Sequence, residues 1–365
     1  MLPDEVTTRG QHVLTVCNAC RYCEQYCPVF PALEKRRTFQ APDLVYLANL
    51  CHNCGECLYA CQFAPPHEFG INVPALFAEV RARSYEQHAW PAWLGRAFRA
   101  GAFRTGLAAM ALVVSLLVLL SSTRGSAVWS PGGEADFYGV MPHGAMVAIF
   151  GTVSLFTLVA MAISGRRFWL GMRGPLAPGH EAWRALRDAL TLRHLHGSGL
   201  DCTSNLDVRL PWRRWFHHCT FYGFLLCMAS TTVAAIYHVV FGWRAPYAYS
   251  SLPVLLGAAG GFGLLVGPLG LAALRQTRDP DLGHEESRGL DTVFLALLFI
   301  TSLTGLALLV LRYSTMMGIL LLVHLGAVLV LLLTLPYGKF VHGLYRVLAL
   351  IRYHDESTPL GPRSS

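Results

Sequence analysis

Two segments, CNACRYCEQYCP (17–28) and CHNCGECLYAC (51–61), decide how the 365-residue chain is read. Each carries cysteines at the spacing CxxCxxCxxxC: Cys17, Cys20, Cys23 and Cys27 in the first, Cys51, Cys54, Cys57 and Cys61 in the second. Three cysteines so spaced can wrap one cubane from a tight turn. The fourth sits on the following helix and points away, and in two-cluster ferredoxins it ligates the other cluster. The pattern therefore predicts two [4Fe–4S] clusters. Cys17, Cys20, Cys23 and Cys61 hold one, and Cys51, Cys54, Cys57 and Cys27 hold the other. Paired zinc sites are the alternative, but zinc usually takes separated CxxC pairs, which these unbroken runs do not match. Gln62, where the first motif has Pro28, follows Cys61, with Pro65 and Pro66 soon after. Gly55 permits close backbone approach to the second cluster.

Around the motifs the pattern is helical. Pro42–Leu50 runs into the second motif, and Gly70–Arg83 opens another helix with apolar residues at helical spacing. This resembles the helical ferredoxin domains of the fumarate reductase and heterodisulfide reductase iron–sulfur subunits. Eight of the 11 cysteines fall between Cys17 and Cys61, and the opening MLPDEVTTRGQHVL has neither a basic nor an apolar leader region. Such density without an export signal implies metal ligation in a reducing compartment rather than disulfides.

The composition divides the chain. It is 53% apolar and 14% charged, and the long apolar runs begin after about Gly101. Six spans of about 20 residues each are expected, enough to cross a hydrocarbon core of about 30 Å. They are Ala102–Ser121, Gly144–Ser164, Phe216–Val240, Leu252–Leu274, Leu290–Leu311 and Met316–Tyr337. The fourth is glycine-rich, a poor helix in water but suited to close packing in lipid. The expected organisation is a helical ferredoxin domain over 1–95, a six-helix transmembrane domain over 96–345 and a cytoplasmic tail over 346–365, a mainly α fold.

Arginine placement gives the topology. The loop after span two carries Arg166, Arg167, Arg173, Arg184, Arg187, Arg193, Arg209, Arg213 and Arg214, and the loop after span four carries Arg275, Arg278 and Arg288. Arg124, Arg244 and Arg312 stand singly in the opposite loops, and Lys339, Arg346 and Arg352 follow the last span. The chain is thus expected in the inner (cytoplasmic) membrane with its head and both termini in the cytoplasm. The net charge of +7 is explained by these loops, so nucleic acid is not an expected partner. Arg99 and Arg104, interleaved with Phe98 and Phe103, precede a span and do not form a nucleic-acid patch. Within the long loop, His180–His196 has helical spacing, with Trp183, Leu186, Leu190 and Leu195 near one face. It reads either as an amphipathic helix on the membrane surface or as a helix packed on the head.

Ionisable residues inside spans point to function because they are expensive there. Span three begins with His217 and His218 and ends near His238; span six holds His324 and is followed by His342. His324 and His342 share a face about 27 Å apart, and His217 lies nearer the His238 face than His218 does. Since the spans run antiparallel, His217/His218 and His342 fall at the cytoplasmic side, and His238 and His324 in the outer half. One or two b-type haems with paired axial histidines are expected there, with His143 as a spare ligand. The plain alternative is interfacial histidines packed at helix ends.

Cys219 and Cys227 read as core residues. His194, His196, Asp201 and Cys202 could bind a metal, though a surface reading fits better. Gly261-x-Gly263 lies inside a span and is no nucleotide fingerprint. Neither a Ser–His–Asp arrangement nor a carboxylate pair stands out, so no flavin, nicotinamide or substrate chemistry is expected of the chain itself.

His324-LGAVLVLLLTLPYGKFV-His342 looks like the last haem-bearing helix of the nitrate reductase gamma subunit, a cytochrome b. The order of parts, with FHHCTFYGFLLC opening span three, resembles the tricarballylate utilization protein B (citrate-utilization type) family. It is also similar to the C-terminal part of the fused flavoprotein of precorrin oxidation. The resemblance implies a membrane wire that reoxidises a partner FAD-dependent dehydrogenase acting on tricarballylate and delivers its electrons to membrane quinone. The alternatives are a subunit of another respiratory or cobalamin-synthesis complex, and a redox sensor or membrane anchor.

Overall fold

The computed structural model describes residues 2–123, 136–174, 181–195, 212–283 and 285–357. The fold is mainly helical, with no strand among the described residues. The head holds α1 (Asp4–Cys20), α2 (Val29–Glu34), α3 (Ala41–Leu50), α4 (Glu56–Tyr59) and α5 (Val73–His88). There follow α6 (Ala92–Ala100), α7 (Ala102–Thr123), α8 (Phe137–Val140), α9 (His143–Gly171), α10 (Glu181–Leu190) and α11 (Trp212–Phe241). The last four are α12 (Leu252–Gln276), α13 (Glu285–Leu311), α14 (Met317–Thr334) and α15 (Val341–Ser357).

Local signals explain the head helices. Asn72 caps α5 by accepting the Ala75 N–H, and Pro74 occupies its first turn. Gln40 and Asp43 form a reciprocal cap on α3, with Pro42 in the first turn. Leu14, Leu33, Leu44, Leu47 and Phe77 then close a core that excludes water almost completely.

Five described helices are long and apolar enough to cross a membrane, within α9, α11, α12, α13 and α14. The chain is therefore a multi-pass membrane protein. The first expected span corresponds to α7, which lies beside α13 and α14 and has an apolar centre at Ala108–Leu119. The glycine-rich span is a continuous helix. A Cβ on Gly260 would stand 2.7 Å from the Gly223 carbonyl and one on Gly267 2.6 Å from the Thr220 N, so α11 and α12 touch backbone to backbone.

The stretch given to the tail from residue 346 begins as helix. Val341, Tyr345, Ala349 and Leu350 of α15 enter the core of the head, where Tyr345 stacks on Phe168 of α9 at 4.2 Å. Glu356 takes Arg36 at 2.5 Å, and the Arg36 and Arg352 guanidiniums sit over the Tyr46 ring. Of the expected frayed tail, 358–365 lies outside the described residues. The helix expected around 180–196 is α10, which packs on α15 through Ala185 and a buried Asp188 while Trp183 faces outward, 67% exposed. His194 pairs with Asp188 at 3.3 Å; His196, Asp201 and Cys202 lie outside the described residues.

Candidate iron–sulfur centre and membrane histidines

The first motif runs from the end of α1, which holds Cys17 and Cys20, into a turn with Cys23 and Cys27. The second turns through Cys51 and Cys54 into α4, which holds Cys57, and leaves it at Cys61, so, contrary to expectation, neither fourth cysteine sits on a following helix. Arg21 closes α1 in the left-handed conformation after Cys20, and Gly55 turns the second motif at φ +93°. The fourth cysteines cross over. Cys17 feels Cys61, Cys23 and Cys20, and Cys23 feels Cys61 and Cys20. Cys27 feels Cys51 and Cys54, and Cys57 feels Cys51, Cys27, Cys54 and, last, Cys23. The eight residues thus gather into two adjacent sets with the fourth members exchanged.

Cys17, Cys20, Cys23 and Cys61 line a recess of about 420 Å³, part of it open to solvent, with Cys57 of the other set also at its wall and Phe30, Phe63 and Ile71 as apolar walls. Burial pushes the Cys17 and Cys23 thiols up to about 12, with the neighbouring cysteines adding to it. In the other set burial pushes Cys54 up to about 11 and holds Cys27 and Cys57 well above their usual range. Such thiols ionise only beside strong positive charge, which iron supplies by deprotonating its ligands outright. No three described His, Cys, Asp or Glu side chains converge as a single metal ion would require. A cubane spreads its four thiolates over separate irons, so cysteine sets that do not converge on one point fit a cluster.

The second motif is ringed by arginines. Arg213 donates to the carbonyls of His52 (2.9 Å) and Asn53 (3.1 Å), and Arg278 to Asn53 (2.9 Å). Arg346 donates to Cys51 (2.6 Å) and Asn49 (3.3 Å), and Arg81 to Ala48 (2.9 Å) and Cys51 (3.2 Å). These side chains come from α5, α11, the α12–α13 connection and α15. The connection is pinned further by Asn53 to the Leu282 carbonyl (2.8 Å) and Tyr59 to Asp279 (2.9 Å). Sequence reasoning counted three of the four as topology signals and missed the ring.

At the head end of the bundle His217 meets His342, ring centroids 6.0 Å apart and nearly perpendicular. Two imidazoles bound at about 2 Å on opposite sides of one metal ion have centroids about 6 Å apart. An edge-to-face ring contact gives a similar separation, but it leaves the buried Nδ1 of His217 without a partner. The His342 Nδ1–H donates to the Lys339 carbonyl at 2.5 Å, which leaves Nε2 with its lone pair. That is the arrangement of a metal-ligating histidine. Burial, with His217, Lys339 and Arg346 nearby, keeps His342 well below its ordinary range and therefore neutral. His217 and His342 are the residues that would hold a haem at this end of the bundle. His218 turns away onto Tyr222, its Nε2 buried and unpartnered.

The outer histidines are arranged otherwise than expected. His238 stacks on His143 at 3.8 Å, with Tyr138 3.3 Å from its Nδ1, and it makes no ring contact with His324. His324 lies against α13, its Nδ1 3.1 Å from the Thr301 carbonyl and 3.2 Å from the Thr304 hydroxyl, beside Gly305. The pairing of His238 with His324 is corrected on this point. Face and depth can be counted along a sequence, but α11 packs on α12 and α14 on α13, and helix neighbours cannot be counted. The stacked pair is too close for two ligands on opposite sides of one iron.

A helical head with two exchanged cysteine sets, continuous with a bundle of apolar helices, defines a membrane protein with an iron–sulfur electron-transfer head. A family model described as Citrate utilization protein B matches residues 98–362, and one described as Citrate utilization protein B Fer4-like domain matches residues 10–87. The chain is similar to Citrate utilization protein B of Escherichia coli, 46% identical over 348 residues, 95% of this chain and 91% of that one. No solved structure matches. The chain belongs to the citrate utilization protein B family.

Proposed function

We propose that the chain reoxidises a partner FAD-dependent dehydrogenase, acting on tricarballylate or a related tricarboxylate, and passes the electrons to the quinone pool. The observation that carries this reading is the exchange of Cys27 and Cys61 between the two cysteine sets. Cys17, Cys20, Cys23 and Cys61 hold one [4Fe–4S] cluster, and Cys27, Cys51, Cys54 and Cys57 the other. His217 and His342 hold a b-type haem, and a second, if bound, draws on His238, His143 or His324, with His218 held in reserve. Clusters and haem, when bound, carry single electrons. The protein's own part is to keep the cysteines close, exclude water from the second set and fix His342 through the Lys339 carbonyl.

On this reading α7 is the sixth span, and the head and both termini face the cytoplasm at the inner membrane. The recess lined by Cys17 and Cys20 opens outward, which suits docking of the flavoprotein. The relative named for citrate utilization supports a tricarboxylate as the upstream substrate.

The test is to mix the cluster-loaded protein, in detergent, with chemically reduced flavoprotein and a soluble quinone analogue under anaerobic conditions. Quinone reduction that depends on this chain, and that falls at least tenfold in a Cys61→Ser variant, is expected. Equal quinone reduction with and without the chain sinks the proposal.

A further inference from the structure

We infer that Arg81, Arg213, Arg278 and Arg346 raise the reduction potential of the cluster held by Cys27, Cys51, Cys54 and Cys57 above that of its neighbour, and so direct electrons from the recess toward the membrane. This rests on the two-cluster reading above. The step moves one electron: the cluster held by Cys17, Cys20, Cys23 and Cys61 is oxidised, the other is reduced, and no bond or proton changes. The reductant is the partner's flavin.

Asymmetry is the main observation. Arg81 and Arg346 reach the Cys51 carbonyl at 3.2 and 2.6 Å, and Arg213 and Arg278 reach the Asn53 carbonyl beside Cys54 at 3.1 and 2.9 Å. The buried carboxylate of Glu56 acts against these four cations on Cys27 and Cys54, whereas no arginine is among the groups acting on Cys17 or Cys23. Among the described residues Arg81, Arg278 and Arg346 have no carboxylate within ion-pairing distance, and Asp291, the nearest acid to bear on Arg278, is held by Lys339 at 2.9 Å. Arg81 is buried and Arg278 and Arg346 are half-buried, and all three converge on the backbone of residues 48–53. Cations crowded and desolvated in this way need an anion. A cubane with four thiolates is anionic and becomes more so on reduction, so the arginines favour its reduced form. Burial alone would lower the potential of this cluster, because it disfavours added negative charge. The ring of guanidiniums opposes that tendency on one side only.

These arginines also tie the head to the bundle by capping carbonyls, and the test separates the two roles. The full-length, cluster-loaded protein is titrated anaerobically with dithionite, and the two clusters are followed by electron paramagnetic resonance. In Arg278→Gln, which keeps a donor for the Asn53 carbonyl, one midpoint falls. The expected change is about tenfold in the reduced-to-oxidised ratio at fixed potential, about 59 mV for one electron. The other midpoint stays, and Arg278→Lys restores the first. The shifted signal is the one perturbed by Cys27→Ser and not by Cys61→Ser. Should Arg278→Gln lose its clusters, Arg213→Gln is read in the same way. Unmoved midpoints, an equal shift of both, or a lysine variant that behaves like the glutamine variant overturns the inference while leaving two clusters in place. A wild-type protein without [4Fe–4S] signals overturns the two-cluster reading and this inference together.

Discussion

Gly55 holds φ at +93° between Cys54 and Glu56, and a Cβ there would stand 3.0 Å from the Leu282 methyls. A side chain in the left-handed region costs about 1–2 kcal/mol, and here it also pushes on the loop that Asn53 pins. Gly55→Ala is expected to lower stability by at least that amount, read as earlier loss of cluster absorbance on heating; an unshifted transition contradicts the close approach. His342 carries a different expectation. With its Nδ1 proton committed to Lys339, His342→Ala is expected to remove b-haem absorbance while acid-labile sulfide stays constant. An unchanged haem spectrum would exclude His342 as a ligand. Both positions could be picked out by spacing. The stack of His143 on His238 could not, since it depends on which helix ends meet, and only His143's place at the outer end of span two marked it as a candidate.

Among elements, α12 was legible as a close-packing helix, though its neighbour α11 was not. The GAAGGFGLLVGPLG stretch announces close approach, and Gly260 and Gly267 lie against the α11 backbone. Gly260→Val overpacks that seam, a change that costs about 1–3 kcal/mol. It is expected to lower the melting temperature in detergent, and an unchanged melting temperature contradicts backbone contact. Helix α15 was less legible. Val341, Tyr345 and Ala349 have helical spacing, but the polar residues around them read equally well as a tail. The helix is fixed by contacts with α3, α9 and α10, which are remote in sequence. At this joint His88 of α5 lies edge-on to Phe168 and Tyr345, and burial holds it below 6.5 despite its bond to the Ser84 carbonyl. As pH falls through 6.5 the unfolded chain takes up a proton that the folded chain refuses, so stability declines. His88→Gln is expected to flatten the pH dependence of the melting temperature between about pH 7 and 5; an identical slope in the variant argues against this origin.

In the whole molecule, charge placement carries two messages that sequence alone superimposes. Arg213, Arg278 and Arg346 sit where a positive-inside count puts arginines, yet all three turn inward to the carbonyls of 49–53. A one-dimensional pattern separates a loop from a span but does not say which loop residues face solvent. The grouping of Cys61 with the first motif and Cys27 with the second, in contrast, was read from the repeated spacing of the cysteines, although neither residue lies on the helix that reading placed it on. The head, the arginine ring and α15 therefore form one body built around the second cysteine set, and the central claim is that this body holds two iron–sulfur clusters. The direct measurement is iron and acid-labile sulfide per chain on anaerobically purified, detergent-solubilised protein, with a dithionite-reduced minus oxidised visible spectrum. About eight non-haem irons and about eight sulfides, as two [4Fe–4S] clusters require, together with a b-type haem band, are predicted. One or two tightly bound zinc ions with no labile sulfide would contradict the account.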